Sequence, residues 1–189
     1  MSLSLEGHRV LVGVGGSVAA FKACQVVTDL RREGAEVKVA MTDAATRFVS
    51  PALLRALSGH RVASSLWDDD PAEVGHGMSH LDLAAWCEVQ VVVAASADLI
   101  ARLALGLAGD PVTATALACR APLLVAPAME SAMWEHPATQ GHAATLTARG
   151  ARIVGPVLGR LASGHESTGR MSESDAIVAA VRDLLDGGG

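Results

Sequence analysis

The chain has 189 residues, half of them hydrophobic and 19% charged, with a net charge of −5 and a pI near 5.8. That length suits one domain with a full core and is small for two, so a single domain over 1–189 is expected, with residues 1–7 and 187–189 as loose ends. The acidic balance argues against nucleic acid as the main partner, and the lack of an uninterrupted apolar run of about 18 residues argues against a membrane span.

The opening MSLSLEGHRV carries no basic segment followed by an apolar one, so no signal peptide is visible and a cytoplasmic location is expected. Cys24, Cys87 and Cys119 are odd in number and lie in helical or apolar context. They read as buried free thiols in a reducing compartment, not as a disulfide or zinc framework, and no metal site is expected. So apolar a composition with so few charges points to an oligomer interface.

Val10–Val14 is a β-branched run of the kind found in buried parallel strands. It gives way at Gly15-Gly16, and a helical pattern starts at Ser17, with Val18, Phe21, Ala23, Val26, Val27 and Leu30 on one face and Gly34 at the end. A strand feeding a helix through glycines leaves backbone N–H groups facing open space with the helix dipole behind them, which suits a phosphate. The spacing is neither G-x-G-x-x-G, whose third glycine position holds Val18, nor a Walker A loop, so a mononucleotide-sized phosphate is the better expectation.

Glu36–Met41 reads as the second strand. Thr42-Asp43-Ala44 opens a short helix, and Ser50-Pro51 opens another that Gly59 closes. Ser65–Gly77 is a polar surface loop, and Ser79 is placed to cap a helix carrying Leu81, Leu83, Ala84 and Trp86. Val89–Ala95 is a central strand, followed by a helix over Leu99–Leu107 and another from Asp110-Pro111 to Cys119. Pro122–Ala126 is the next strand. Helix Thr139–Arg149, strand Ala151–Val154, a loop to Arg170 and a helix over Ser174–Leu185 complete the chain. This alternation predicts a doubly wound, three-layer α/β fold with ligand at the C-terminal strand ends. Those ends carry Gly15-Gly16-Ser17, Thr42, Ser96-Ala97-Asp98 and Ala128-Met129-Glu130.

Six segments taken in order, GGSVAAFK (15–22), MTDAATRF (41–48), HLDLAAW (80–86), ASADLIARLALGLAGD (95–110), PAMESAMW (127–134) and GHESTGRM (164–171), resemble the homo-oligomeric flavin-containing cysteine decarboxylases. That family includes phosphopantothenoylcysteine decarboxylase and the peptidyl-cysteine decarboxylases of ribosomal peptide natural products. The resemblance implies a flavodoxin-like, Rossmann-like parallel sheet, FMN as cofactor, and a trimer or a dodecamer built from trimers, with the active site between subunits. It implies FMN contacts at Gly16, Ser17, Val18, Thr42, Phe48, Ser96, Ala97, Asp98, Leu99 and Ala128, although Thr42 and Ser96 also suit simple helix caps. His80 resembles the catalytic base, with His76 a competitor outside the motif. A histidine suits the task, because a cysteine thiol of pKa near 8.5 must lose its proton before oxidation at its β-carbon.

Met129, Glu130, Trp134 and Ser163 are the expected substrate contacts, and two of them depart from the family pattern. Glu130 stands where the family's PAMN motif has asparagine. An ionised Glu cannot donate to a substrate carboxylate, so a neutral Glu130 is expected when substrate binds. Ser163 stands where phosphopantothenoylcysteine decarboxylases carry the cysteine that reduces the enethiolate intermediate, and a hydroxyl cannot replace that thiol. The expected activity is therefore oxidative decarboxylation of a peptide's C-terminal cysteine to an aminoenethiol. Phosphopantothenoylcysteine decarboxylation and a non-catalytic FMN-binding regulatory subunit are the alternatives. Gly155–Gly169 is the expected substrate lid.

Overall fold

The computed structural model describes residues 4–67 and 79–187. Six parallel strands form the central sheet: β1 (Arg9–Val14), β2 (Glu36–Met41), β3 (Val62–Ala63), β4 (Val89–Ala95), β5 (Leu123–Pro127) and β6 (Arg152–Ile153), in the order β3-β2-β1-β4-β5-β6. The order reverses between β1 and β4, which are direct neighbours. In such sheets the crevice at that reversal, beyond the carboxyl ends of the strands, is where ligands bind. The doubly wound, three-layer class expected from the alternation, and the flavodoxin-like sheet the resemblance implies, are the ones observed.

Both faces of the sheet are covered, which explains why the strands read as unbroken apolar runs. Every residue of β4 is buried. One layer packs α1 (Ala23–Arg32), α2 (Asp43–Thr46), α3 (Pro51–Ser58) and α9 (Ser174–Asp186) on Val10, Val12, Val39, Val91 and Leu124. The other packs α4 (Ser79–Trp86), α5 (Ala97–Leu105), α6 (Pro111–Ala118) and α8 (Pro137–Ala148) on Leu11, Ala40, Val92 and Val125. Each such side chain, fully buried, contributes about 1.5–3 kcal/mol, so the alternating faces of four central strands supply most of the cohesion. The helix starts follow local chemistry. Thr42, Ser50 and Ser96 accept from the N–H groups of Ala45, Ala52 and Leu99, and Asp110 closes a capping box with Thr113 while pairing with Arg102 at 2.9 Å.

The expectations need correction at several places. Leu5 is not in a loose end: it is buried, and its N–H donates to the Glu33 carbonyl at 2.9 Å. The helix after Gly16 opens as a 3-10 turn (Val18–Lys22) capped by Ser17, which swings Val18 and Phe21 out of the core face to 57% and 62% exposure. Ser79 is already inside α4, and of its expected apolar face only Leu83 is buried. β3 and the short α7 (Ser131–Glu135) carry too little periodicity to be read from sequence. The stretch expected as a loop to Arg170 is an antiparallel hairpin of β7 (Val157–Arg160) and β8 (Glu166–Arg170), whose short, solvent-facing strands lack an apolar alternation. Most of the Ser65–Gly77 loop, His76 and residues 188–189 lie outside the described residues.

Candidate active site

At the strand-order reversal a cleft of ≈ 700 Å³ opens between the tips of β1, β4 and β5, the 3-10 turn and the β7–β8 hairpin. Gly16, Ser17, Val18, Phe48, Ser96, Ala128, Met129 and Glu130 line it, so eight of the expected contacts, from four separate segments, meet in one place. The approach of the chain to this cleft is close: a β-carbon on Gly16 would stand 2.3 Å from Ala44 Cβ, and one on Gly15 2.4 Å from the Ala94 carbonyl oxygen. Ala94 itself adopts φ 53°, a left-handed conformation costing roughly 1–2 kcal/mol for a residue with a β-carbon. The strand register shifts there, and the Ala94 N–H, turned out of the ladder, meets the Met171 sulfur at 3.2 Å. Backbone strain of this kind at a strand tip is characteristic of built sites.

The chemistry of the lining matches a phosphorylated, planar aromatic ligand. Gly16 and Ser17 line the cleft immediately ahead of the 3-10 turn that Ser17 caps, the place in a strand–turn–helix unit that suits a phosphate. Val18, Phe21, Phe48 and Met133 leave large apolar surfaces exposed around the same cleft, each between 48% and 62% accessible. Four such side chains around one opening would be costly in water and are natural walls for a flat ring.

Over residues 1–186 the sequence matches the Flavoprotein family. The chain belongs to that family. It is 41% identical over 183 residues to the coenzyme A biosynthesis bifunctional protein CoaBC of Haemophilus influenzae, covering 97% of this chain and 45% of that protein. The chain thus spans less than half the length of this curated relative. Among solved structures it is similar to the FMN-dependent cysteine decarboxylase SpaF (33% identity, TM-score 0.77, 93% of this chain and 98% of that one). It is also similar to a cysteine-to-serine variant of PPC decarboxylase complexed with pantothenoylaminoethenethiol (30% identity, TM-score 0.82, 95% and 98%). The family is therefore that of the FMN-dependent cysteine decarboxylases, and the cleft's lining fits the cofactor these relatives carry.

Within this flavoprotein the other expected contacts are placed differently. Thr42 is buried and acts as the N-cap of α2, its hydroxyl also reaching the Val14 carbonyl at 3.4 Å. Ser96 combines both roles, capping α5 while lining the cleft. Leu99 is a core residue of the second layer, and Ala97 and Asp98 belong to the first turn of α5, outside the lining. Trp134 packs, partly buried, against the second core and is absent from the cleft lining. His80 sits in the first turn of α4, in the layer that packs on α6, and is absent from the cleft lining. Its Nδ1 is buried without a hydrogen-bond partner among the described residues.

The two departures from the family pattern turn out to touch. Ser163, at the hairpin tip, gives its backbone N–H to Glu130 Oε1 at 3.1 Å and its hydroxyl to Oε2 at 2.9 Å. Both Glu130 oxygens are therefore engaged by Ser163, which ties the carboxyl group to the hairpin tip. The hairpin is held at a second point, where the Met129 N–H donates to the Gly169 carbonyl at 3.0 Å. Phe21, Lys22, Met133, Arg160, Leu161 and Arg170 also line the cleft. Arg160, Leu161 and Arg170 belong to the hairpin, which the sequence pattern does not reveal, and Phe21 and Lys22 belong to the 3-10 turn, which carries Phe21 off the expected helix face.

Proposed function

We propose that this chain catalyses FMN-dependent oxidative decarboxylation of a cysteine whose amino group is acylated, with phosphopantothenoylcysteine as the substrate. The observation that carries the reaction class is the cleft at the strand-order reversal, which joins a turn suited to a phosphate, apolar ring walls and the hairpin in one opening. The substrate class is supported by the 41% identity to a coenzyme A biosynthesis protein, which favours this substrate over the peptide expected from Ser163 and Glu130 alone.

In this reading the amides of Gly16 and Ser17 and the hydroxyl of Ser96 hold FMN, and Phe48 and Val18 flank its ring. FMN, when bound, supplies the two-electron oxidation. The protein's own part is to orient the cysteine Cα–Cβ bond, exclude water with the hairpin, and take the thiol proton. His80 is the proposed base. Because it stands in the α4–α6 layer of its own chain, it would act on the cleft of a neighbouring copy, consistent with the trimeric or dodecameric assembly the resemblance implies. Among the described residues no helix is long and apolar enough to cross a membrane, and no cluster of side chains suits a metal ion.

A specific observation keeps the peptide reading as the second one: Ser163 lacks the thiol expected to complete reduction of the enethiol. Supplying the FMN-loaded protein with phosphopantothenoylcysteine and, separately, with a peptide ending in cysteine distinguishes the two by product mass. Conversion of phosphopantothenoylcysteine with loss of CO2 and two hydrogens is the expected result; conversion of the peptide alone would overturn the substrate assignment.

A further inference from the structure

A second constellation lies at the opposite, amino-terminal edge of the sheet. Cys87, the residue following α4, and Cys119, the C-cap of α6, bring their sulfurs to 3.4 Å. At that distance the two sulfurs are already in contact, and a disulfide would bring them to about 2.05 Å. Cys87 is buried, whereas Cys119 is half-buried and lines a cavity of ≈ 430 Å³. Arg102, Arg120 and Arg149 line the same cavity, and no carboxylate among the described residues does. Arg102 is engaged by Asp110, and Arg149 donates to the Ala104 carbonyl at 2.6 Å, while Arg120 makes no ion pair among the described residues.

The two thiols are not equivalent. Hydrogen bonding from the Cys87 thiol and from the Ala121 N–H, at 3.3 Å, lowers the pKa of Cys119, and the same pairing with burial raises that of Cys87. While Cys119 keeps its proton, its S–H faces the Ala84 carbonyl at 3.5 Å. Cys24, on α1, stands apart, with its thiol raised by burial.

We propose that Cys119 and Cys87 form a dithiol site for a small anionic disulfide, with Cys119 the attacking and Cys87 the resolving sulfur. The Cys119 thiolate displaces one half of the disulfide, whose S–S bond breaks and whose leaving thiolate takes a proton from water. The Cys87 sulfur, on losing its proton, then attacks the Cys119 sulfur of the mixed disulfide and expels the second half. The protein dithiol is oxidised by two electrons and the small disulfide is reduced to two thiols. The arginine-lined cavity supplies the site for the carboxylates of the incoming molecule.

The test is to treat the FMN-loaded protein with glutathione disulfide and follow mass, thiol count and peptide maps. The wild-type chain is expected to lose two hydrogens in mass and to yield a Cys87–Cys119 cross-link with Cys24 still reduced. Cys87→Ser is expected to stop at one glutathione on Cys119, and Cys119→Ser to leave Cys87 unmodified. Arg120→Ala is expected to slow the reaction several-fold with glutathione disulfide and not with uncharged hydroxyethyl disulfide. Oxidation of Cys24 first, a stable glutathione adduct on Cys87, or no reaction of Cys119 in the Cys87→Ser chain would each overturn the proposal.

Discussion

Ser163→Cys is expected to change the product itself. The resemblance assigns the residue at this place the role of giving a proton to the enethiol while the two electrons removed at the first step return to the carbon chain. A serine hydroxyl is too weak an acid for that task, and a thiol near pKa 8.5 is not. The wild-type chain is therefore expected to release a product lighter by CO2 and two hydrogens, and the Ser163→Cys chain one lighter by CO2 alone. The hairpin tip is exposed and next to Ala162 of the cleft lining. The substitution should therefore cost little stability, about 0.5 kcal/mol, and alter the rate of the first half-reaction by about twofold. Mass spectrometry of the product reads the switch directly. Release of the enethiol alone from the variant would remove Ser163 from the explanation.

The second large effect is expected at Gly169, on β8. A β-carbon there would stand 2.2 Å from the Met129 carbonyl oxygen and 3.2 Å from the Leu161 side chain. Both neighbours belong to the cleft wall, and the nearer is backbone, which cannot turn aside as a side chain would. Gly169→Ala should push β8 away from the tip of β5, weaken the bond from the Met129 N–H, and carry Ser163 off Glu130. A displacement of about 1 Å at a positioned site costs on the order of 100-fold in rate. We expect that loss in kcat/KM with the far-ultraviolet circular dichroism of the wild type. An active Gly169→Ala chain would show that the hairpin is not part of the working cleft.

Much of this architecture is legible in the sequence because its signals are local. Gly59, at φ +78°, Pro111 at the first position of α6, and Ser50 and Ser96 at helix starts act within four residues of where they stand. The strands β1, β4 and β5 announced themselves by being buried on both faces. What stayed hidden depends on distant partners. Nothing in the sequence near Cys87 or Cys119 says that the ends of α4 and α6 meet. Glu130 and Ser163 each read as an isolated departure, with opposite consequences for substrate binding and product release; only the fold makes them a hydrogen-bonded pair. The hairpin leaves no pattern in the sequence for a related reason: its strands are held by the rim of the cleft, not by an apolar face of their own. Thr42 and Leu99 show the converse limit. A motif position identifies a segment near a site, while its side chain can serve the cap or the core instead.

The central claim is that the strand-tip cleft holds FMN beside an acylated cysteine and oxidises it. Anaerobic mixing of the FMN-loaded protein with one equivalent of phosphopantothenoylcysteine, followed by visible absorbance and product mass, tests it most directly. The account predicts bleaching of the flavin colour together with loss of CO2 from the substrate. A flavin that keeps its colour over a substrate recovered intact would contradict it.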